Sequence, residues 1–211
     1  MNDWVTGWMR SRPEDDPKPY PMPKWGLQKY IGMLYNSAVK ASDEKIKRLA
    51  VHGIFTAIIA LLTLFASIPL PVGSGGAYLN AGDAAIFTAS FILGPVGGMI
   101  TAAVGSALAD VLHGAVVYAP ATLVIKGLMG LLSGILFKKS KYLAPPVSGL
   151  VMPAGYFVYE LILYGIGTAL FGLWTNAIQY AFGAAAGILL VLALTRAGVR
   201  PLEKTERQEK E

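Results

Sequence analysis

The chain has 211 residues, of which 54% are hydrophobic and 15% charged, and a formal net charge of +5. Ordinary soluble domains carry about 25% charged residues, so the composition argues against a soluble protein. The lack of cysteine excludes disulfides, thiolate metal ligands and a cysteine nucleophile. The basic residues flank apolar segments, so the positive charge is a guide to membrane orientation rather than a sign of nucleic-acid binding.

The charge is concentrated at the two ends of the chain, because only seven charged residues lie between Ala50 and Thr195. This pattern predicts a cytoplasmic extension over residues 1–48, a transmembrane domain over residues 49–195 and a charged cytoplasmic tail over residues 196–211. The extension has no apolar core followed by a small-residue cleavage site, so we expect no cleavable signal peptide.

The N-terminal extension divides into two predicted parts. We expect a proline-rich arm over Arg12–Pro23. The next segment, Lys24–Val39, places apolar residues such as Trp25 and Ile31 among polar ones, which is typical of a helix lying on a membrane surface. A tail without stable structure is the alternative for this part of the chain.

The apolar middle of the chain predicts an all-α membrane protein, a bundle of six transmembrane helices. About 20 apolar residues cross a bilayer as a helix. The second span is short because Gly94-Pro95 ends it, since proline cannot continue a helix. The predicted spans are Leu49–Ser67, Gly82–Leu93, Val96–Leu112, Pro120–Phe137, Pro146–Gly167 and Thr175–Leu194.

The distribution of basic residues predicts the orientation of this bundle. Three basic groups, Lys45–Arg48, Lys138–Lys141 and Arg196–Arg200, fall on one side of the membrane when six spans are counted. The loops after spans one, three and five contain neither lysine nor arginine. The positive-inside rule therefore places both termini in the cytoplasm.

Four charged residues stand alone inside apolar runs: Asp83, Asp110, Lys126 and Glu160. A charge at membrane depth costs roughly 3 kcal/mol, so it usually faces a cavity and a partner. All four fall in the outer half of the predicted bundle, which one outward-facing polar cavity explains. The alternatives are that the two aspartates only touch headgroup water, and that Lys126 extends outward to the interface.

Polar and aromatic side chains accompany these charges at helical spacing. Asp110 shares a helix face with His113, and Glu160 lies between two tyrosines that are each four residues away. For the tyrosines, ordinary packing in the bundle is the alternative. The glycine-rich loop Val72–Tyr78 could cover the opening as a lid. The predicted binding residues are Asn80, Asp83, Asp110, His113, Lys126, Tyr156, Glu160, Tyr164, Asn176 and Gln179.

This set of side chains suits a small, flat, polar heterocycle. Aromatic rings provide stacking area, and carboxylates, amides and one ammonium fix the orientation of the ligand. The carboxylates and His113 show no spacing typical of a metal motif, so we expect neither a metal nor another cofactor. No Walker A motif is present, so any energy for transport comes from another protein.

Small residues at four-residue spacing permit close approach of another helix. Gly98, Ala102 and Ser106 form such a stripe, as do Gly130 and Gly134, and internal packing explains most stripes of this kind. Gly53 and Ala57 on the first span form a further stripe. This one is a candidate contact with a partner subunit.

Five sequence blocks resemble a known family. The blocks are Tyr78–Phe87, Leu93–Gly98, Gly105–Asp110, Ala119-Pro120 and Leu123–Gly130. In order and spacing they are similar to the substrate-capturing S components of energy-coupling factor (ECF) vitamin transporters. The branch most similar is associated with riboflavin, pyridoxine or hydroxymethylpyrimidine, and the resemblance covers about residues 49–195.

The resemblance implies a six-helix fold with an outward vitamin pocket, assembled with a transmembrane coupling subunit and two cytoplasmic ATPases. It implies that the S component topples in the membrane to deliver its ligand. In that family a stripe of small residues on the first helix docks the coupling subunit. Ala57 matches that stripe, whereas Gly53 replaces its first alanine. The resemblance does not define the vitamin, because one scaffold serves several.

Two other functions remain open at the level of the sequence. Asp83 and Asp110 would be the catalytic pair of an intramembrane aspartyl protease, since two carboxylates sharing a proton can activate water. Alanine before Asp110, where such proteases carry tyrosine, weakens this hypothesis. A stand-alone proton-coupled carrier is the other alternative, which six spans without an internal repeat do not favour.

Overall fold

The computed structural model describes residues 27–69 and 78–202. The predicted proline-rich arm, nearly all of the predicted lid loop and most of the C-terminal tail lie outside the described residues. The chain divides into two units, Met1–Lys47 and Arg48–Glu211. The cavity described below is formed by residues of the second unit.

The described residues are almost entirely helical. Six helices and one pair of short antiparallel strands follow one another along the chain. In order they are α1 (Leu27–Phe65), β1 (Ser67–Pro69), β2 (Tyr78–Asn80), α2 (Gly82–Leu112), α3 (Ala119–Phe137), α4 (Ala144–Gly149), α5 (Val151–Tyr164) and α6 (Ile166–Arg196).

Five helical stretches of the described chain are long and apolar enough to cross a membrane. They are Lys45–Phe65, Gly82–Leu112, Ala119–Phe137, Ala144–Tyr164 and Ile166–Arg196. The prediction of an all-α membrane protein is therefore confirmed. Large apolar side chains such as Ile54, Leu128, Ile162 and Leu189 are exposed on these helices, as expected of a surface solvated by lipid.

Helix α1 begins well before the predicted first span. It extends over 39 residues from Leu27, so the described part of the predicted surface segment, residues 27–39, and the charged run before the span belong to one helix. The charged run consists largely of Lys, Glu and Arg, which are good helix formers and do not interrupt the helix. That residues 24–39 lie on a membrane surface stays a prediction.

Helix α2 contains both the second and the third predicted span. Gly94 departs from helical geometry with φ 76° and ψ −171°, and Pro95 follows it. A side-chain carbon added at Gly98 would lie 2.8 Å from the Cα of Ser90. Residues eight apart in a straight helix are about 12 Å apart, so the chain turns back at Gly94 and the two halves of α2 pack on each other.

Glycines allow the following helix to pack closely on this hairpin. A side-chain carbon at Gly130 of α3 would collide with the carbonyl of Gly98, and one at Gly134 would collide with Pro95. These two predicted stripes therefore serve internal packing. The buried core is mostly apolar, and its largest fully buried side chains include Ile59, Ile86, Phe87, Met129 and Met152.

The last helix begins earlier than predicted. The sequence predicts a span from Thr175, whereas α6 begins at Ile166. Gly165, with φ 81°, makes the turn between α5 and α6 in a single residue, a conformation that favours glycine. Residues 168–174, predicted to form a loop, are therefore helical, and Ile166 and Gly167 belong to α6 instead of the predicted fifth span.

Candidate binding cavity

A cavity of about 450 Å³ lies among α1, β2, α2, α3, α5 and α6. Most of its lining residues carry a polar group, and hydroxyls, amides and carboxylates lie beside three aromatic rings. The lining residues are Thr63, Asn80, Ser106, Asp110, Ala115, Tyr118, Thr122, Lys126, Tyr156, Glu160, Thr168, Phe171, Gly172, Thr175, Asn176 and Gln179.

The structure brings most of the predicted binding residues to this one cavity. Seven of the ten lie on its wall: Asn80, Asp110, Lys126, Tyr156, Glu160, Asn176 and Gln179. The other three do not line it. Asp83 is buried against Lys126, whereas His113 and Tyr164 are exposed. That the seven bind a ligand remains a prediction.

Asn80 is held in place by the turn that starts α2. Its side-chain oxygen accepts a hydrogen bond of 3.0 Å from the backbone N–H of Gly82. Strand β2 ends at Asn80 and pairs with β1, so the residue is supported on both sides. One of the free N–H groups of the first turn of α2 is thereby satisfied.

Lys126 and Asp83 form a buried ion pair. The ammonium of Lys126 donates to Asp83 Oδ1 and also contacts Met152 Sδ at 2.9 Å. Gln179 Nε2 donates to the other carboxylate oxygen of Asp83 at 3.1 Å. Three helices, α2, α3 and α6, are joined by this carboxylate, and both of its oxygens have donors.

Glu160 is buried at the cavity wall with one oxygen satisfied. Tyr118 donates a hydrogen bond of 3.3 Å to Glu160 Oε1. Burial, with the nearby Glu160 carboxylate as a second cause, raises the pKa of Tyr118 to about 12, so this phenol stays a donor at neutral pH. Within the described part of the chain, Glu160 Oε2 has no hydrogen-bond partner.

Gly172 provides the space into which Glu160 extends. A side-chain carbon at position 172 would overlap the Glu160 carboxylate, lying 2.6 Å from its carboxyl carbon. No other residue type fits here unless the carboxylate moves. The absence of a side chain at Gly172 therefore sets the position of Glu160.

Asp110 is the second carboxylate with an unsatisfied oxygen. It lies near Lys126, His113 and the hydroxyl of Thr122. Its Oδ2 has no hydrogen-bond partner among the described residues, and the same is true of the Ser106 hydroxyl one helical turn away. Two carboxylates on the cavity wall, Asp110 and Glu160, thus each have one buried oxygen without a donor among the described residues.

Aromatic residues gather at one side of the cavity. The Tyr118 ring lies 6.4 Å from Tyr156, 5.6 Å from Tyr159 and 6.4 Å from Tyr164, between ring centroids. Tyr159 donates to the backbone carbonyl of Val117, which ties the loop before α3 to α5. Thr122 and Tyr156 share a hydrogen bond of 2.7 Å. Tyr118, Tyr156 and Phe171 present their rings to the cavity.

Nine of the lining residues were not predicted from the sequence. Thr168, Phe171 and Gly172 fall in the stretch predicted to be a loop, and Tyr118 lies in a connection. Ser106 and Thr122 each stand four residues before a predicted binding residue, so helical spacing was a signal that would have identified them. Thr63, Ala115 and Thr175 complete the set.

The described residues contain no group of three or more His, Cys, Asp or Glu that could hold a metal ion.

The stripe predicted to contact a partner subunit does not line the cavity. Gly53 and Ala57 are exposed on α1, and no atom lies within 4 Å of a side-chain carbon added at Gly53. Ala60, by contrast, is buried. The face with Gly53 and Ala57 is thus not covered by the described residues.

Comparison with known proteins agrees with the family resemblance. Residues 43–196 match the family described as ECF-type riboflavin transporter, S component. The chain is 34% identical over 162 residues to the thiamine precursor transporter HmpT of Lactococcus lactis subsp. cremoris (strain MG1363), an alignment that covers 76% of this chain and 96% of HmpT. It is 35% identical over 134 residues, 61% of this chain and 88% of the relative, to an uncharacterized protein in the gap 3′ region of Pyrococcus woesei.

The resemblance predicted from the sequence blocks is thus confirmed, and it favours a transport component over a protease. The five apolar helices agree with a multi-pass protein of the cell membrane. The chain belongs to the ECF-type riboflavin transporter S component family, the substrate-binding membrane subunits of vitamin importers.

Proposed function

We propose that this S component captures an aminopyrimidine precursor of thiamine, of the hydroxymethylpyrimidine type, from outside the cell. The observation that carries the proposal is the pair of carboxylates on the cavity wall, Asp110 and Glu160, each with one buried oxygen that lacks a donor among the described residues. A buried acceptor without a donor is costly, so a ligand that supplies N–H or O–H groups is favoured.

An aminopyrimidine meets this requirement. Its exocyclic amino group donates in the plane of the ring, and the hydroxymethyl group adds an O–H donor. Its flat ring can stack on Tyr118, Tyr156 or Phe171, which gives contact area without demanding further hydrogen bonds. The similarity to a thiamine precursor transporter supports the same ligand class.

Riboflavin is the second candidate, since the matched family is described by it. A cavity of about 450 Å³ lies within the usual range of about 300–1,000 Å³ for ligand pockets, so volume does not decide. The polar edge of a flavin carries two carbonyl oxygens on either side of one N–H. Such an edge adds acceptors where the cavity already has unsatisfied acceptors, so the aminopyrimidine fits better.

We further propose six membrane passes with both termini in the cytoplasm. The reversal of the chain at Gly94 supports the count, because it turns α2 into two antiparallel passes. Lys141, which hydrogen-bonds Thr195 at 3.2 Å, marks the cytoplasmic end. At 1.5 Å per residue, Thr195 is about 24 Å along α6 from Gln179 of the cavity wall, so the cavity is at the outer end.

As for partners, we propose that the chain itself catalyses no reaction and works with a transmembrane coupling subunit and two cytoplasmic ATPases. The uncovered stripe of Gly53 and Ala57 supports the expected docking of the coupling subunit on α1. Small residues there let a second helix approach closely within the bilayer.

The experiment that tests the ligand is a titration of the purified full chain, in detergent, with three compounds: amino-hydroxymethylpyrimidine, pyridoxine and riboflavin. We expect the aminopyrimidine to bind at least about tenfold more tightly than the others. Tighter binding of riboflavin would overturn the aminopyrimidine assignment in favour of the second candidate. No binding of any of the three would overturn the proposal for this cavity.

A further inference from the structure

Lys126 is the one basic side chain among the described residues that line the cavity. If its ammonium were free, the cavity would offer a strong donor to any ligand with a carbonyl oxygen. Its ammonium is instead bound to Asp83 and Met152, and its side chain is only 6–7% exposed. Two of the three N–H groups of this predicted ligand donor are therefore engaged within the protein.

Asp83 also determines which end of the Gln179 amide faces the ligand. Gln179 lines the cavity, and its Nε2 donates to Asp83 Oδ2 at 3.1 Å and approaches Met152 Sδ at 3.6 Å. An amide carries its donor and its acceptor on opposite branches. With the nitrogen turned to Asp83, the carbonyl oxygen is the branch left for the cavity.

Asp83 itself does not line the cavity, and it is 2% exposed. Neighbouring residues of α3 and α6 hold its side chain in place. A side-chain carbon at Gly183 of α6 would lie 2.8 Å from the Asp83 Cβ, so that position must stay open for the aspartate. The carboxylate is thus fixed between α3 and α6, with one donor from each helix.

We propose that Asp83 is a positioning residue that sets the ligand preference of the cavity. It acts through two lining residues, by holding the Lys126 ammonium away from the ligand and by turning the Gln179 carbonyl toward it. The cavity then presents acceptors, from Asp110, Glu160 and Gln179, and selects a ligand rich in donors. This inference rests on the proposed function and explains how the preference for an amino group over an oxo group arises.

The test measures a ratio of affinities in the purified full chain. The two probes are amino-hydroxymethylpyrimidine and its counterpart in which an oxo group replaces the amino group, so that the exocyclic donor becomes an acceptor and the adjacent ring nitrogen carries a proton. In the wild-type protein we expect the amino compound to bind at least about 100-fold more tightly, as for sites that require a particular hydrogen-bonding group. In Asp83→Asn we expect this ratio to fall at least tenfold, because Lys126 and Gln179 can then donate to the oxo group.

A second variant covers the case in which Asp83→Asn leaves a buried charge unpaired and does not fold. Asp83→Asn combined with Lys126→Met removes both charges, and the Gln179 amide is free to turn. The ratio is again expected to fall at least tenfold. Lys141→Met is the matched control, since that ammonium contacts Thr195 and the Phe91 ring instead of the cavity, and its ratio should equal that of the wild type.

The outcomes separate the two proposals. If the wild-type protein prefers the amino compound and the folded Asp83 variants keep the wild-type ratio, the role of Asp83 is refuted while the ligand assignment stands. If the wild-type protein binds neither compound, or prefers the oxo compound, the proposed function fails and this inference fails with it. A lowered ratio in an Asp83 variant with an unchanged ratio in Lys141→Met supports the inference.

Discussion

The position of the Glu160 carboxylate depends on the absence of a side chain at Gly172, and Gly172→Ala tests that dependence. The new methyl group would lie 2.6 Å from the Glu160 carboxyl carbon and 2.9 Å from Oε1, closer than real contacts of this kind. The carboxylate must turn away, which removes its proposed hydrogen bond to the ligand. A hydrogen bond to a charged group contributes about 1.5–3 kcal/mol, so we expect the aminopyrimidine to bind roughly 10- to 150-fold more weakly.

The fold should tolerate this change, because the group that moves is the end of a flexible side chain. Replacing glycine by alanine inside a helix usually stabilises it, by about 0.5–1 kcal/mol. The assay is isothermal titration together with thermal unfolding in detergent. Gly167→Ala is the matched control, since it lies on the same helix with nothing within 4 Å of the added carbon. Binding by Gly172→Ala within twofold of the control would refute the assigned position of Glu160.

Three further predictions concern the turn, the tyrosine and the partner face. Gly94→Ala should lower the free energy of unfolding by about 1–3 kcal/mol, since φ 76° with ψ −171° is a region open essentially to glycine; a melting temperature equal to that of Gly167→Ala would contradict this. Tyr118→Phe should lower the free energy of unfolding by about 0.5–1.5 kcal/mol through loss of its hydrogen bond to Glu160, and a melting temperature equal to that of the wild type would contradict it. In the wild type, whose Tyr118 pKa is raised to about 12, the stabilising contribution of this phenol should be complete below about pH 10 and lost as the pH approaches 12, so Tyr118→Phe should lose less stability than the wild type over this range in pH-dependent unfolding. Ala57→Leu should leave ligand binding by the isolated chain unchanged but reduce copurification with a coupling subunit, and unchanged copurification would argue against docking on this face.

The sequence predicted which charged residues line the cavity better than it predicted which of them pair with one another. The cost of a lone charge in an apolar run correctly led to Lys126, Asp110 and Glu160, which the fold brings to one cavity. The cost of a lone charge could not reveal that Asp83 pairs with Lys126, because the two residues are far apart in the chain and no local spacing links them. Pairing of charges on different helices is a property of tertiary packing.

The sequence did not predict where the last helix begins. A tight turn at one glycine, Gly165, replaced the loop that was expected, because a positive φ can reverse the chain within a single residue. The lining residues Phe171 and Gly172 were missed for that reason. The turn at Gly94 was foreseen because the following proline gives it a second, independent signal.

The central claim is that this cavity captures an aminopyrimidine, and the most direct measurement is identification of the small molecule that copurifies with the full chain. The protein would be purified from cells, denatured, and its ligand identified by mass spectrometry, with Glu160→Gln as the parallel sample. We expect hydroxymethylpyrimidine bearing an amino group in the wild-type sample and a clear depletion of it in Glu160→Gln. Recovery of riboflavin from the wild-type protein, or of equal amounts of pyrimidine from both samples, would contradict the account.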